Sequence, residues 1–561
     1  MLNRPFLLML PALIALGIGF ILPMGSVVWT SLHQGGLFSM GAWGEVLSSR
    51  TFLGILGRTF SMAAVVTLLT LALAYPLAYW AATTARRWGA QIMALVAVPY
   101  LTSILIRSYA WVAILGGNGL VNRALESLGL IEEPLPLVFN RFGSYVGMVH
   151  ILLPMAVFPI FAAMQRIDPA LMRAGASLGA PPGSSFSTIF LPLSWPGVSA
   201  GAALVFLAAM GFYITPALLG APGDYLVAQA IEVRVSTLAE FDTAAAQACL
   251  LLALVTALML LLRKRIVAMA GEDTTAAPAR RLPLPPLLRR LGAAVAGLLA
   301  PIATPLLWGY GLLLMTLLLA PMIVVVLIAF SSAPYLSFPP PGWSLRWFFS
   351  FFADEAWLRA TGFSLVVSLA GAATALAIGT PFALALSRGR FQGRRLLWLL
   401  AVAPMILPHI ALALGLFFTA VRLGLNGSIA SFWIAYTVTG LPYVVIILVA
   451  ALRRFDTDLE RAAASLGAAP LRRFRDVTLP LLAASFASAF LFAFLAGFDD
   501  LIISLFLSSP NGTTIAMRMW EDIRLEISPK TAVVGVLQLG LLLLAALIAR
   551  LRLWSAPWRT R

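Results

Sequence analysis

Residues 166–192 read RIDPALMRAGASLGAPPGSSFSTIFLP, and residues 454–480 read RFDTDLERAAASLGAAPLRRFRDVTLP. One offset relates them: Asp168 to Asp456, Gly179 to Gly467 and Pro192 to Pro480 are each 288 positions apart. An internal repeat of this length in a very apolar chain signals two homologous membrane halves. The repeated unit itself is too polar to cross a bilayer. Both copies therefore lie outside the membrane on the same side, which predicts two contacts for a two-fold partner.

Each copy has a legible local plan. Asp168 followed by Pro169 supplies a capping carboxylate and then a residue suited to the first helical turn. A helix is expected over 170–178, and Gly179 suits the left-handed position that stops it. A second short helix follows, and Leu191-Pro192 opens the next membrane segment. Asp456, Gly467 and Leu479-Pro480 repeat the plan. Ala174, Gly175 and Ala176, with Ala462, Ala463 and Ala464, keep one face small, so another surface can approach closely.

Around these units the chain of 561 residues is 61% hydrophobic and only 11% charged. A soluble domain cannot hide that much apolar surface, so lipid is the solvent. Twelve stretches reach the roughly 20 residues a spanning helix needs: 6–32, 58–84, 92–116, 142–164, 193–219, 242–263, 308–331, 359–386, 396–420, 430–452, 481–507 and 531–549. The second, fifth, eighth and eleventh are long enough to require tilting, bending or a part outside the bilayer. The first follows a lone Arg4 with no small-residue cleavage site, and is expected to be retained as a helix. The fold class is thus an all-α membrane protein with twelve transmembrane helices in two six-helix halves, 1–263 and 308–561. A Pro- and charge-rich cytoplasmic linker, 264–307, joins them and carries an interfacial helix or an early start of the seventh span.

The formal net charge is +16. Arginines and lysines crowd alternate connections: Arg86 and Arg87, Arg166 and Arg173, Arg263 to Arg265, Arg394 and Arg395, and Arg453 to Arg475. The positive-inside rule puts these connections, both repeats and both termini in the cytoplasm. No basic stretch is interleaved with stacking aromatics, so the charge reads as topology and anionic lipid, not nucleic-acid binding. Cys249 is alone, so no disulfide forms within the chain. His33, His150 and His409 lack ligand spacing, and no metal site is expected. Neither Lys264 nor Lys530 follows a phosphate loop, and no paired catalytic residues stand out. The chain is expected to be no enzyme and to hold no cofactor of its own.

Two outer segments differ between the halves. Residues 116–143 form a long connection with a short helix expected at 120–128, whereas its counterpart near 421–428 is brief. Arg518, Glu521, Asp522, Arg524 and Glu526 fall at helical spacing, as either a solvated helix with self-paired charges or a docking surface.

The spacing Ala-(Ala/Gly)-x-x-x-Gly, nine residues, Ile/Val-x-Leu-Pro resembles the cytoplasmic loop of binding-protein-dependent ABC importer permeases. The resemblance implies the type I importer permease fold, with Ala174, Gly175, Leu178, Gly179, Ala462, Ala463, Leu466 and Gly467 in loops that seat on a homodimeric ATPase. That subunit would bind the ATP and Mg. A periplasmic solute-binding protein would deliver substrate at a bacterial inner membrane. One position departs in both copies: the family's leading Glu is Arg173 and Arg461 here, with Glu460 one place early. LTSILIRSYAW (101–111), YVGMVHILLPMAVFPIF (145–161) and YITPALLGAPGDYLVAQAI (213–231) resemble the first permease subunit of spermidine/putrescine importers. SLRWFFSFF (344–352), GFDDLIISLF (497–506) and RLEISPKTAVVGVL (524–537) resemble the second. The chain is thus similar to two such subunits fused, and the implied substrate is a small cationic, polyamine-like solute. Another small amine, an amino-acid derivative or an opine-like solute is the alternative.

Arg107, Asp499 and Asp500 are charges at membrane depth, each costing about 2.5–3.5 kcal/mol at a helix centre if unpaired. They should face a partner or a wet cavity. Adjacent helical residues point about 100° apart, so one aspartate is expected to line the path while the other pairs with Arg107 or caps a helix break. Tyr213 and Thr215 occupy the matching depth in the first half and are candidate wall residues. His409 falls where the resembled permeases can carry an acid, and is a candidate for the same path or for packing. A twelve-helix, ion-coupled secondary transporter is the rival class, but it has no use for two duplicated cytoplasmic sockets.

Overall fold

The computed structural model describes residues 3–269 and 302–554, apart from Leu101, Ser337, Arg390, Asn511, Glu526 and Ile527. Most of the expected linker, 270–301, lies outside the described residues. Its flanks are helical: one helix runs Phe241–Met269 and the next begins at Ala303. Apart from a two-residue hairpin, His33–Gln34 against Leu37–Phe38, and two isolated bridges, the described regular structure is helical. That is what lipid requires, because a helix satisfies its own backbone.

Among the described residues, nine helices are long and apolar enough to cross a membrane, or eleven if two bent pairs each count as one. The bent pairs are Arg394–Ile406 with His409–Arg422, at 93°, and Pro470–Leu481 with Ala483–Phe498, at 81°. The expected twelfth span falls within the helix Lys530–Trp554, of which Lys530–Leu541 is a shorter apolar stretch. The expected short helix in the long outer connection is present at Leu120–Ser127, and the later outer loop holds the helix Ile515–Leu525.

Small residues set the closest crossings, as in other membrane helices. Helix Leu191–Met210 lies against Arg141–Gln165, where a Cβ on Gly201 would touch the Ala156 backbone at 3.3 Å. The helices Glu355–Arg388 and Ile429–Arg454 meet where Gly371 faces Tyr436.

The ends of the chain interlock. The N-terminal segment packs on helices of the C-terminal part: Ser26 Oγ lies 3.2 Å from the Gly415 carbonyl, and Arg422 donates to Thr30 at 3.3 Å. Gly415 is obligatory there, since a Cβ would sit 2.5 Å from the Pro23 carbonyl oxygen. Reciprocally, the helix Ala303–Ala329 packs on the N-terminal part. Tyr310 donates to the Leu73 carbonyl at 2.7 Å, and Trp308 meets Trp80 edge-on at 5.2 Å. 

Candidate functional site

Four of the apolar segments break, and their breaks meet. Helices end at Tyr100, Met210, Ile406 and Phe498, and new helices begin at Ile104, Ile214, His409 and Leu501. The sequence gives local causes: Pro99 in the last turn of the first, Gly211 after the second, Leu407-Pro408 after the third, and the capping pair Asp499-Asp500 after the fourth. A cavity of about 280 Å³ opens among them. Each break contributes to its wall: Tyr100 and Ile104, Gly211 and Tyr213, Pro408 and His409, Asp499 and Asp500. Discontinuous helices are the usual way a membrane protein builds a polar chamber without exposing backbone to lipid.

The break corrects the expectation that only one aspartate can reach the path. Asp499 closes the helix Ala483–Phe498 and Asp500 opens Leu501–Leu507, so the 100° separation of a continuous helix does not apply. Both line the cavity. Of the two expected roles, pairing with Arg107 or capping a helix break, both aspartates take the cap, and Asp499 is also the charge neighbour of Arg107. Asp499 Oδ2 accepts from the Ile104 amide at 3.1 Å, and Asp500 Oδ1 accepts from the Ile503 amide at 2.9 Å. Asp500 Oδ2 has no hydrogen-bond partner and lies 3.9 Å from His409 Nδ1. Arg107 is 2% exposed; its Nε reaches the Ser103 carbonyl at 3.4 Å, and its Nη1 has no partner.

Arg107, Tyr213, His409, Asp499 and Asp500 are therefore brought together, and Thr215 is not. Thr215 is fully buried two residues further on, 2.9 Å from the Ser108 hydroxyl and against Gly147, so it belongs to helix packing. Tyr213 meets buried Trp520 of the outer helix at a tilt, ring centroids 5.7 Å apart, which ties the cavity wall to that helix. In that outer helix Arg518 pairs with Glu521 at 3.4 Å, while Asp522 accepts from Ser528 and Thr531; Glu526 lies outside the described residues. Tyr100, Tyr443 and Gln538, not among the expected wall residues, also line the cavity. Tyr100 beside Pro99 and a lone glutamine in an apolar run were the available signals.

The two repeated loops adopt the same backbone. Asp168 Oδ1 accepts from the Ala170 amide at 2.8 Å, and Asp456 Oδ1 from the Asp458 amide at 2.9 Å. Helices Pro169–Ser177 and Asp458–Ser465 both end in a Schellman motif: Ala180 donates to Gly175 and Gly179 to Ala176, as Ala468 does to Ala463 and Gly467 to Ala464. Gly179 and Gly467 have φ of +75° and +81°. The following turns, Pro182–Ser185 with Phe186–Phe190 and Pro470–Arg473 with Phe474–Thr478, keep the 288 offset residue for residue.

The small face is partly corrected. Gly175 is buried against Ser185 and Ile189 of its own second helix, and Ala463 is half-buried. Ala174, Ala462 and above all Leu178 and Leu466, 87% and 88% exposed, form the outward surface. The Glu460 that stands one place early turns inward to Arg388 and Thr478. Burial disfavours its ionised form. The hydrogen bonds from Arg388 and Thr478, and the charges of Arg388 and Arg473, outweigh that and hold the carboxyl below the usual glutamate range.

Residues 375–554 match the family described as binding-protein-dependent transport system inner membrane component. The putrescine transport system permease protein PotI of Escherichia coli K12 is 32% identical over 241 residues, which is 42% of this chain and 85% of that protein. The spermidine/putrescine transport system permease protein PotB of Salmonella typhimurium SL1344 is 32% identical over 226 residues, 40% of this chain and 78% of its own. Among solved structures, a chain of a bacterial alginate ABC transporter in complex with an alginate pentasaccharide-bound periplasmic protein aligns with 20% identity and a TM-score of 0.39. It covers 46% of this chain and 94% of that one.

Proposed function

We propose that this chain, which belongs to the family of binding-protein-dependent transport system inner membrane components, is the whole translocation path of an ATP-driven importer, two permease subunits fused end to end. The chain is a multi-pass, non-catalytic membrane component. The fusion reading rests on the 288-residue repeat and on relatives that match well under half of this chain while being mostly covered themselves. It gives twelve spans in two halves, 1–263 and 308–561, with both termini and both loops in the cytoplasm.

The observation that carries the function is the doubled loop. Two identical capped turns present Leu178 and Leu466 to solvent at equivalent places. A homodimeric ATPase offers two identical sockets, and exposed leucines are suited to apolar ones. ATP and Mg would be held by that subunit. Its closure would move both loops and rock the halves about the cavity, so that access alternates between the two sides. A solute-binding protein on the outer side would deliver a small amine-bearing solute, of which polyamines are one kind. Asp500 lines the cavity and has a buried oxygen without a hydrogen bond, which supports a cationic group.

Reconstitution tests this. The chain should co-purify with two copies of an ATP-binding subunit, and uptake into proteoliposomes should require ATP and a binding protein. Uptake by the chain alone, driven by a proton or sodium gradient, would establish the secondary-transporter class instead.

A further inference from the structure

The cavity holds two buried polar groups of opposite charge that the fold leaves incompletely bonded. Arg107 Nη1 donates to nothing, and Asp500 Oδ2 accepts nothing. They are carried by different helices, Ile104–Leu115 and the start of Leu501–Leu507. Asp499 gives Arg107 a neighbouring charge but no hydrogen bond: its carboxylate is engaged by the Ile104 amide, at the N-terminus of the first of these helices, and by the Ser103 side chain. A helix N-terminus carries about half a positive elementary charge, which offsets that carboxylate in place. Arg107 and Asp500 each have an opposite or titratable neighbour, Asp499 and His409 respectively, yet Nη1 and Oδ2 remain without a hydrogen bond on residues of the cavity wall, and an unmet buried hydrogen bond is costly.

We infer that the solute taken here is a short zwitterion, with its ammonium group at Asp500 and an anionic oxygen group at Arg107. This rests on the reading of the cavity as the solute path. A diamine satisfies Asp500 but brings no acceptor to Arg107 Nη1, even where its second ammonium reaches Asp499. A monocarboxylate has the opposite fault. Only a molecule with both ends supplies an acceptor to Nη1 and a donor to Oδ2 together. The cavity, about 280 Å³, is at the small end of ligand pockets, so the two ends are separated by a short chain.

The test is equilibrium binding to the full chain in lipid nanodiscs, with 4-aminobutanoate, butane-1,4-diamine and butanoate as probes of one carbon length. 4-Aminobutanoate should bind about tenfold or more tighter than either of the others, as an added charge-assisted hydrogen bond implies. Arg107→Met should reverse the order of 4-aminobutanoate and the diamine. Asp500→Asn should weaken both amines and spare butanoate. If Arg107→Met does not fold, the probe order on the parental chain and on Arg107→Lys decides, since lysine keeps the charge and loses the planar fork. Diamine binding as tight as that of 4-aminobutanoate, and lost in Asp500→Asn, overturns the zwitterion and leaves the cavity as solute path. Absence of saturable binding by all three overturns the cavity reading and the zwitterion with it.

Discussion

Arg388 and Glu460 meet end to end, two guanidinium nitrogens each 2.6 Å from a carboxylate oxygen. Arg388 is the last residue of the helix Glu355–Arg388, and Glu460 lies in the first helix of the second cytoplasmic loop. The Thr478 hydroxyl donates to the same carboxylate. The second loop is thus fastened by charge to the end of a spanning helix. The positions 288 earlier are Met172 and Phe190, a half-buried and a buried apolar residue. Two loops with one backbone are held by different chemistry.

Glu460→Gln should loosen only the second loop. The carboxylate is 14% exposed and the guanidinium 35%, so after discounting for solvent the loss is about 1 kcal/mol. The Glu460 carboxyl is held below its usual range in the folded state, so its contribution is complete above the ordinary value of about 4.3 and is lost as pH falls through the lower folded value. Thermal unfolding of parental and variant chains should differ by a constant amount between pH 7 and 5, and converge below about pH 4. A gap that widens on acidification would contradict the clamp.

Gly179→Val and Gly467→Val should impair both loops through backbone strain alone. No atom lies within 4 Å of either added Cβ, and φ is +75° and +81°. The left-handed conformation costs about 1–2 kcal/mol for a residue with a Cβ, less for asparagine. The Asn variants should therefore retain an ATPase partner on co-purification and the Val variants lose it. Equal retention by both would detach these turns from coupling.

Asp500→Asn and Asp500→Ala separate charge from capping. Asparagine caps a helix about as well as aspartate, whereas alanine costs about 1 kcal/mol. Asp500→Asn should keep the melting temperature and lose uptake of an amine-bearing solute; Asp500→Ala should lose both. Asp499→Ala should be the more damaging of the two alanine variants to folding, because Asp499 joins segments 395 residues apart. Uptake by Asp500→Asn at the parental rate would remove this carboxylate from the solute path.

A chain divided within 270–301 should reassemble from two co-expressed pieces. Each piece packs its first long helix on the other, through Pro23 against Gly415 and Tyr310 against Leu73. Gly415→Val in the second piece should block recovery, since its Cβ falls 2.5 Å from the Pro23 carbonyl oxygen. Pieces that purify separately, or a Gly415→Val pair that assembles normally, would argue against interlocked halves.

Much of the fold was legible because its signals are local. Apolar runs mark spans, and Asp168, Gly179 and their counterparts mark where loop helices start and stop, each within a turn or two of chain. The cap at Asp500 was legible in kind for the same reason. The cavity was harder to read. The runs 193–219 and 481–507 are long enough to predict tilting, bending or a part outside the bilayer, but the hydrophobic pattern does not place a break that keeps both pieces apolar. Thr215 was misplaced on that account: depth along a straight helix predicted a wall residue, and the break at Tyr213 turned it into the packing against Ser108.

The sequence by itself determined the solvent, the all-helical class, the 288-residue repeat and the capped turns that repeat carries. These depend on composition and on neighbours a few residues apart. Only the tertiary structure decided that four helix breaks share one cavity, that Asp499 accepts from the Ile104 amide, and that Glu460 is committed to Arg388. A buried carboxylate takes whichever donor the packed helices bring within 3 Å or so. That choice is set by how distant segments cross, which no local window of sequence contains.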